Sequence, residues 1–162
     1  MSRRVAVAVG VSAGIVAAAV AMPLLTLGGE QKQRLTRTAY SRNVTSIFVE
    51  VGRRFRAAPG GPSAKETSAD LSSIKEALDR AVAKLQALEP PADAERRHHT
   101  LVSATHDYAV QVDLVRASVD FGDPVTIASH LQEVTAPRVV QRVIRSLNAS
   151  GYRIPVTIGV LH

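Results

Sequence analysis

Cysteine is absent from the 162-residue sequence. Disulfides, thiolate metal sites, c-type haem attachment and a lipid-modified lipobox cysteine are therefore excluded. Tryptophan is absent too, and only three tyrosines and three phenylalanines occur. Recognition of sugars or single-stranded nucleic acid by stacking needs rings to spare, and several of these are required for a core. The two methionines, Met1 and Met22, both lie in the N-terminal segment, which disfavours a Met/His haem site further along. No Gly-x-x-x-x-Gly-Lys loop is available to cradle phosphate and no thiol to act as nucleophile, and the expectation is that no Gly-x-Ser-x-Gly elbow serves as one either. The expectation is a non-enzyme with no cofactor and no nucleic-acid partner.

Charge is missing from one long stretch. Residues Val5 to Leu27 read VAVAVGVSAGIVAAAVAMPLLTL, with Arg3 and Arg4 directly before them. A helix of that length spans roughly 35 Å, enough for a hydrocarbon core of about 30 Å. The run is apolar all round, which argues against a buried soluble helix. It fits a transmembrane anchor, or a signal segment cleaved after Ala21 at the small-x-small site Ala19-Val20-Ala21. The expected address is the cell membrane, single-pass, with the remainder outside the cytoplasm, or secretion if the segment is removed. Cations on the two flanks nearly tie, so the positive-inside rule gives orientation little help.

Beyond that run the charge is uneven. Residues 28–59 hold seven cations against two acids, residues 60–122 seven against ten, and residues 123–162 four against two. The sequence pI of about 10.3 thus comes largely from the segment next to the apolar run. Arg3, Arg4, Lys32, Arg34 and Arg37 are the candidates for electrostatic contact with anionic lipid or an envelope polymer. A solvated face is the plainer alternative.

The rest of the chain is patterned as helices. Tyr40, Val44, Ile47, Phe48, Val51 and Phe55 recur at spacings of three and four, and Ala57 to Pro62 stops them. Ser63 with Glu66 has the capping-box spacing for a second helix, with Thr67 and Asp70 as another start. Its stripe is Leu71, Ile74, Leu78, Val82 or Ala81, Leu85 and Leu88, ended by Pro90-Pro91. A third helix starts near Pro91 and carries Ala94, His98, Leu101, Thr105, Tyr108, Val112, Val115 and Val119 as a heptad seam. Gly122 stops it, and Asp123-Pro124 opens a fourth, with Ile127, Leu131, Val134, Val140, Ile144 and Leu147. Pro137 should kink or split that helix, and Asn148 to Gly151 should cap its end. The tail from Tyr152 to His162 reads as extended, along a groove of the bundle.

The third helix concentrates the chemistry-bearing side chains. Glu95 and His98 have the Glu-x-x-His spacing of di-iron bundles, but no second copy exists to complete such a site. Glu95 with His99, one turn apart, and His106 farther along are weak metal candidates, since imidazole suits zinc, copper or nickel. An exposed polar face is the ordinary reading of the three. His98 and Tyr108 fall on the seam, where a hydrogen-bonded core role is the expectation. Asn43-Val44-Thr45 and Asn148-Ala149-Ser150 match the glycosylation pattern but fall in helices.

Leu85-Gln86-Ala87-Leu88-Glu89-Pro90-Pro91, followed by His98 or His99 and Leu101-Val102, resembles a hinge in exported or lipid-anchored bacterial helical-bundle proteins of unknown function. There a helix ends in Leu-x-x-Leu-x-Pro-Pro and the next carries His-x-x-Leu. The resemblance covers about residues 63–151 and departs in lacking a lipobox cysteine. It implies a helical fold and an envelope address, and brings no activity and no functional residues.

The expected plan is all-α: a basic N-terminus (1–4), an anchor or signal segment (5–27), a basic juxtamembrane stretch (28–38), an antiparallel four-helix bundle (39–151) and an extended tail (152–162). The expected role is a binding or interaction module at the envelope. A bundle sensing or carrying a metal or small apolar ligand around His98, His99 and Tyr108 is the alternative.

Overall fold

The computed structural model describes residues 33–58 and 63–156. Among them every regular element is helical and no strand occurs. The apolar run 5–27, with Arg3, Arg4 and Lys32, lies outside the described residues. None of the described helices is long and apolar enough to cross a membrane.

Helix α1 spans Arg37–Ala57 and is capped by Thr36, whose hydroxyl accepts from the Ala39 amide at 3.2 Å. Helix α2 spans Ala64–Gln86 and starts at Ser63 with the full reciprocal capping box to Glu66. Of the two candidate starts, the one that satisfies two orphan amides at once is used. At its other end α2 stops sooner than the proline pair requires. Gln86 is its last helical residue, and Ala87 and Leu88 close the turn through bonds to the Ala83 and Leu85 carbonyls. Leu88 is consequently only half-buried rather than the last rung of the stripe.

A 3-10 turn, Ala92–Ala94, leads into helix α3, Glu95–Phe121. The seven seam residues on α3 are all buried, as is Ala94 in the turn before it, and Ala104, Ala109 and Ser118 join them. α3 is the hub: α2, α4 and α5 all pack on it, while α1 packs on α2. Gly122 ends it at φ 72°, its amide shared between the Ser118 and Val119 carbonyls. That left-handed conformation suits glycine, which has no Cβ to crowd the carbonyl.

The fourth hydrophobic segment is two helices. α4 spans Pro124–Glu133 behind an Asp123 cap, and α5 spans Ala136–Ala149. The break falls at Val134-Thr135, so that Pro137, which has no amide hydrogen to give, sits in the first turn of α5. α5 runs antiparallel to α3, with Gln111 bonding the Ala136 amide at one end and Arg97 the Ser146 hydroxyl at the other. After Ala149 the chain turns at Gly151 (φ 89°) and runs non-helical through Val156. Tyr152 and Ile154 are buried against the bundle.

The bundle begins ahead of residue 39, where the sequence pattern places it. Leu35 donates its amide to the Glu89 carbonyl at 2.9 Å and packs against the core. Part of the stretch 28–38 is therefore built into the helical domain.

Candidate functional site

Polar groups converge at one end of the domain, where the start of α1, the α2–α3 hinge and the tail meet. Capping by Thr36 sets Arg37 and Tyr40 in the first turn of α1. Pro90 and Pro91 are buried in the hinge, and the 3-10 turn after them presents Asp93. The first turn of α3 supplies Glu95, His98 and His99. Asn148 holds the tail: its amide donates to the Ile154 carbonyl at 3.1 Å and its carbonyl accepts from the Ile154 amide at 2.9 Å. The Arg153 amide donates to the Ser41 hydroxyl, and the tail is thereby fastened to α1.

Tyr40 lies at the centre and is fully buried. Its ring meets His98 and Tyr152 edge-on, with centroids 5.7 and 5.6 Å away. Its hydroxyl is 3.1 Å from His98 Nδ1. Burial, and then the charge of Tyr152, push the Tyr40 phenol well above the usual tyrosine range, so it keeps its proton and donates it to His98. Burial, helped by neighbouring His99, pulls His98 below the usual imidazole range. His98 is thus neutral near pH 7, with Nδ1 accepting and the proton on Nε2.

The outer half of the cluster is charged. Tyr152 donates to Asp93 Oδ1 at 2.9 Å, and Arg37 Nη2 donates to Oδ2 at 2.7 Å while its guanidinium lies 5.7 Å from the Tyr152 ring centroid. The Tyr152 hydroxyl and then Arg37 hold the Asp93 carboxyl below the usual carboxylate range. Burial, and then Asp93, push the Tyr152 phenol up. Tyr40, His98, Tyr152, Asp93 and Arg37 are each bonded to another member of the cluster. The cluster can lock three segments together, the start of α1, the α2–α3 hinge and the tail.

Beside the cluster lies a half-open groove of about 300 Å³, lined by Arg34, Glu89, Glu95, His98, His99 and Val102 among others. Two of the metal candidates, Glu95 and His99, therefore share a groove with His98. His106 is exposed and does not line it. Glu95 is bridged to Arg34 at 3.1 Å. Among the described residues no three His, Asp or Glu side chains are grouped to hold a metal ion. Tyr108, proposed from sequence beside the histidines, is buried lower on α3 with Phe55 stacked on it at 5.7 Å.

Of the cations singled out for membrane contact, Arg34 and Arg37 are each matched to a carboxylate of the domain itself. Asn43 and Asn148 both fall inside helices, and Asn148 is occupied by the tail. The string Gly10-Val11-Ser12-Ala13-Gly14 does have Gly-x-Ser-x-Gly spacing. It falls within the uncharged run, outside the described residues.

Sequence reasoning missed Asp93 as a clamp residue and Asn148 as the tail's anchor. Asp93 was legible only as an acid near a helix start. Its partners Arg37 and Tyr152 lie 56 and 59 residues away, beyond the reach of local pattern. Neither a protein-family model, nor a curated protein, nor a solved structure matches the chain.

Proposed function

We propose that this chain is a single-pass cell-envelope protein, anchored through residues 5–27, whose helical bundle is a non-enzymatic binding or interaction module outside the cytoplasm. The single observation that carries the reading is the uncharged run from Val5 to Leu27 behind Arg3 and Arg4. The clamp at the hinge end supports a module rather than a catalyst, because its phenols, imidazole and carboxylate serve one another. In this reading the run is a transmembrane helix and the domain is a four-membered antiparallel bundle, with α4 and α5 together as the fourth member. Arg3, Arg4 and Lys32 flank the membrane, while Arg34 and Arg37 add less because carboxylates already neutralise them.

Fractionation of a C-terminally tagged chain, with protease accessibility and an N-terminal mass, tests this. The expected result is an unprocessed chain in the membrane fraction whose tag is digested from outside. A mass beginning after Ala21 would instead make it a secreted bundle. An intact, freely soluble cytosolic chain would overturn the envelope role.

The alternative, a small-ligand or metal carrier, is favoured by one feature, the groove beside His98 and His99. A thermal-shift screen over divalent metals and small apolar ligands checks it, and the expected outcome is no shift above about 1 °C.

A further inference from the structure

Several cations on α2 and α3 are matched along their own helices, Lys75 to Asp79, Arg80 to Glu76, and Arg116 to both Asp113 and Asp120, and Lys84 of α2 reaches Glu50 of α1. Helix α5 is different. It contains no acidic residue, and Arg138, Arg142 and Arg145 are all exposed. At 100° per residue the three fall within an arc of about 60°, opposite the buried Val140, Ile144 and Leu147. Among the described residues none of the three has a carboxylate within ion-pair distance. Arg97 of α3 adds a fourth cation beside the end of α5, its Nε on the Ser146 hydroxyl at 3.0 Å and its Nη1 on the Asp93 carbonyl at 3.2 Å. Neither acceptor is charged.

Helix stability does not account for this stripe. No cation of α5 lies in its last turn, where the helix dipole would favour one, and Arg138 lies in the first turn, where a cation loses by it. Three like charges on adjacent turns also repel one another. The arrangement makes sense against an external field of negative charge.

We propose that the Arg138–Arg142–Arg145 face of α5, with Arg97, is the surface by which the bundle lies on an anionic lipid headgroup layer. The inference rests on the membrane-anchored reading for the choice of a bilayer over other polyanions. Two features of the chain bear on that choice. The uncharged run would hold a bilayer within reach, and α5 carries no aromatic ring on which bases would stack.

The test uses the full chain, whose lack of cysteine lets one introduced thiol be labelled cleanly. A polarity-sensitive fluorophore is placed at A149C, exposed at the end of α5, or at A69C, exposed on α2. Each protein is incorporated into vesicles of phosphatidylcholine alone or with phosphatidylglycerol. The A149C label is expected to enter a headgroup-like environment only when phosphatidylglycerol is present, and to leave it near 1 M salt, where the Debye length is about 3 Å. R138Q/R142Q/R145Q, checked for native helicity by circular dichroism, should abolish the response, each arginine lowering the surface partition about fivefold. The A69C label should stay aqueous throughout.

An A149C label indifferent to phosphatidylglycerol in vesicle-bound protein would overturn the proposal. So would an unchanged response in the triple variant, or an arginine-dependent response to duplex DNA with none to lipid. Flotation separates the two readings. A chain that floats with phosphatidylglycerol vesicles but not neutral ones loses the anchor and keeps the stripe, and one that floats with neither loses both.

Discussion

The two ends of α3 are built differently. At its N-terminal end His98 and Leu101 are buried, with Ala94 of the turn before them, and bonds reach from there to residues far away in the chain, from Tyr40 to His98 and from Tyr152 to Asp93. At its C-terminal end α3 turns into α4, which has no fully buried residue. Bonds at that corner are local: Asp123 caps Val125 and accepts from Thr126, and Ser118 meets His130. Since the Ser118 hydroxyl donates to the Leu114 carbonyl, it accepts from His130 Nδ1. Phe121 and Val125, 87% and 77% exposed, stand in solvent there. The difference teaches where cooperativity resides. Ties across more than fifty residues oppose opening of the hinge end as a unit, while α4 itself is held by shorter-range bonds, with Gln111 fixing the start of α5 behind it, and should open at lower cost.

The largest effect separates the ends directly. Leu101→Ala, at a fully buried position beside the clamp, should cost about 3–5 kcal/mol from lost transfer energy plus the cavity left behind. Leu131→Ala, half-buried on α4, should cost about 1 kcal/mol. Urea unfolding of both variants measures the gap. Equal losses would show that the corner is as integral as the hinge.

Within the hinge end, Tyr40→Phe deletes the buried hydroxyl from His98 Nδ1 and should cost about 1–2 kcal/mol. The burial of His98 gives stability a pH dependence of definite sign. Burial lowers His98 in the folded protein, while the unfolded chain keeps an ordinary imidazole near 6.5. Between those values the unfolded state binds a proton that the native state refuses. The His98 contribution is therefore complete above about pH 6.5 and is lost as pH falls through it toward the native value. Urea midpoints of wild type and His98→Gln, compared at pH 7.5 and 5, should converge at the lower pH. Asp93, lowered chiefly by Tyr152, acts in a separate window, its contribution lost only as pH falls below about 4.

Much of this contrast is legible in the amino-acid sequence, for physical reasons. The seam is readable because a heptad repeat reports which side faces a neighbour, and its seven members on α3 are buried together with Ala94 in the turn before it. Gly122, Asp123 and Pro124 were readable because each has one favoured place at a helix end. The end of α2 was misplaced by three residues, since a proline pair sets the last point a helix can reach and Ala87 closed the turn sooner. The clamp itself was not legible. Tyr40 appeared as one rung of an apolar stripe, and nothing local to Tyr40, Asp93 or Tyr152 announces that they meet. That information lies in the tertiary path, set by the whole core.

At the corner, Gly122→Ala should cost about 1 kcal/mol. Its φ of 72° strains a residue with a Cβ, although an added methyl would meet no atom within 4 Å. Urea unfolding should show the loss with an unchanged slope, because the strain is local and no buried surface is forfeited. A loss above about 3 kcal/mol would mean the turn sets the packing of α4 and α5 together, and that the corner is not a loosely held end.

Phe121→Ser should have the smallest effect and is the sharpest probe of the comparison. With 87% of its surface already in water, the ring loses almost no burial on truncation, so the expected change lies within about 0.5 kcal/mol. Phe48, 3% exposed on α1, gives the contrast, since Phe48→Ala should cost about 3–5 kcal/mol. Val110, Leu114 and Phe121 lie four and seven residues apart on one face of α3, all substantially exposed. If Phe121→Ser lost more than about 1.5 kcal/mol, the ring would have to be covered in solution by something other than its own chain. Repeating the unfolding at two protein concentrations then identifies the cover, because contact between copies makes the loss concentration-dependent. A small loss at both concentrations leaves α4 as the locally held end of the domain.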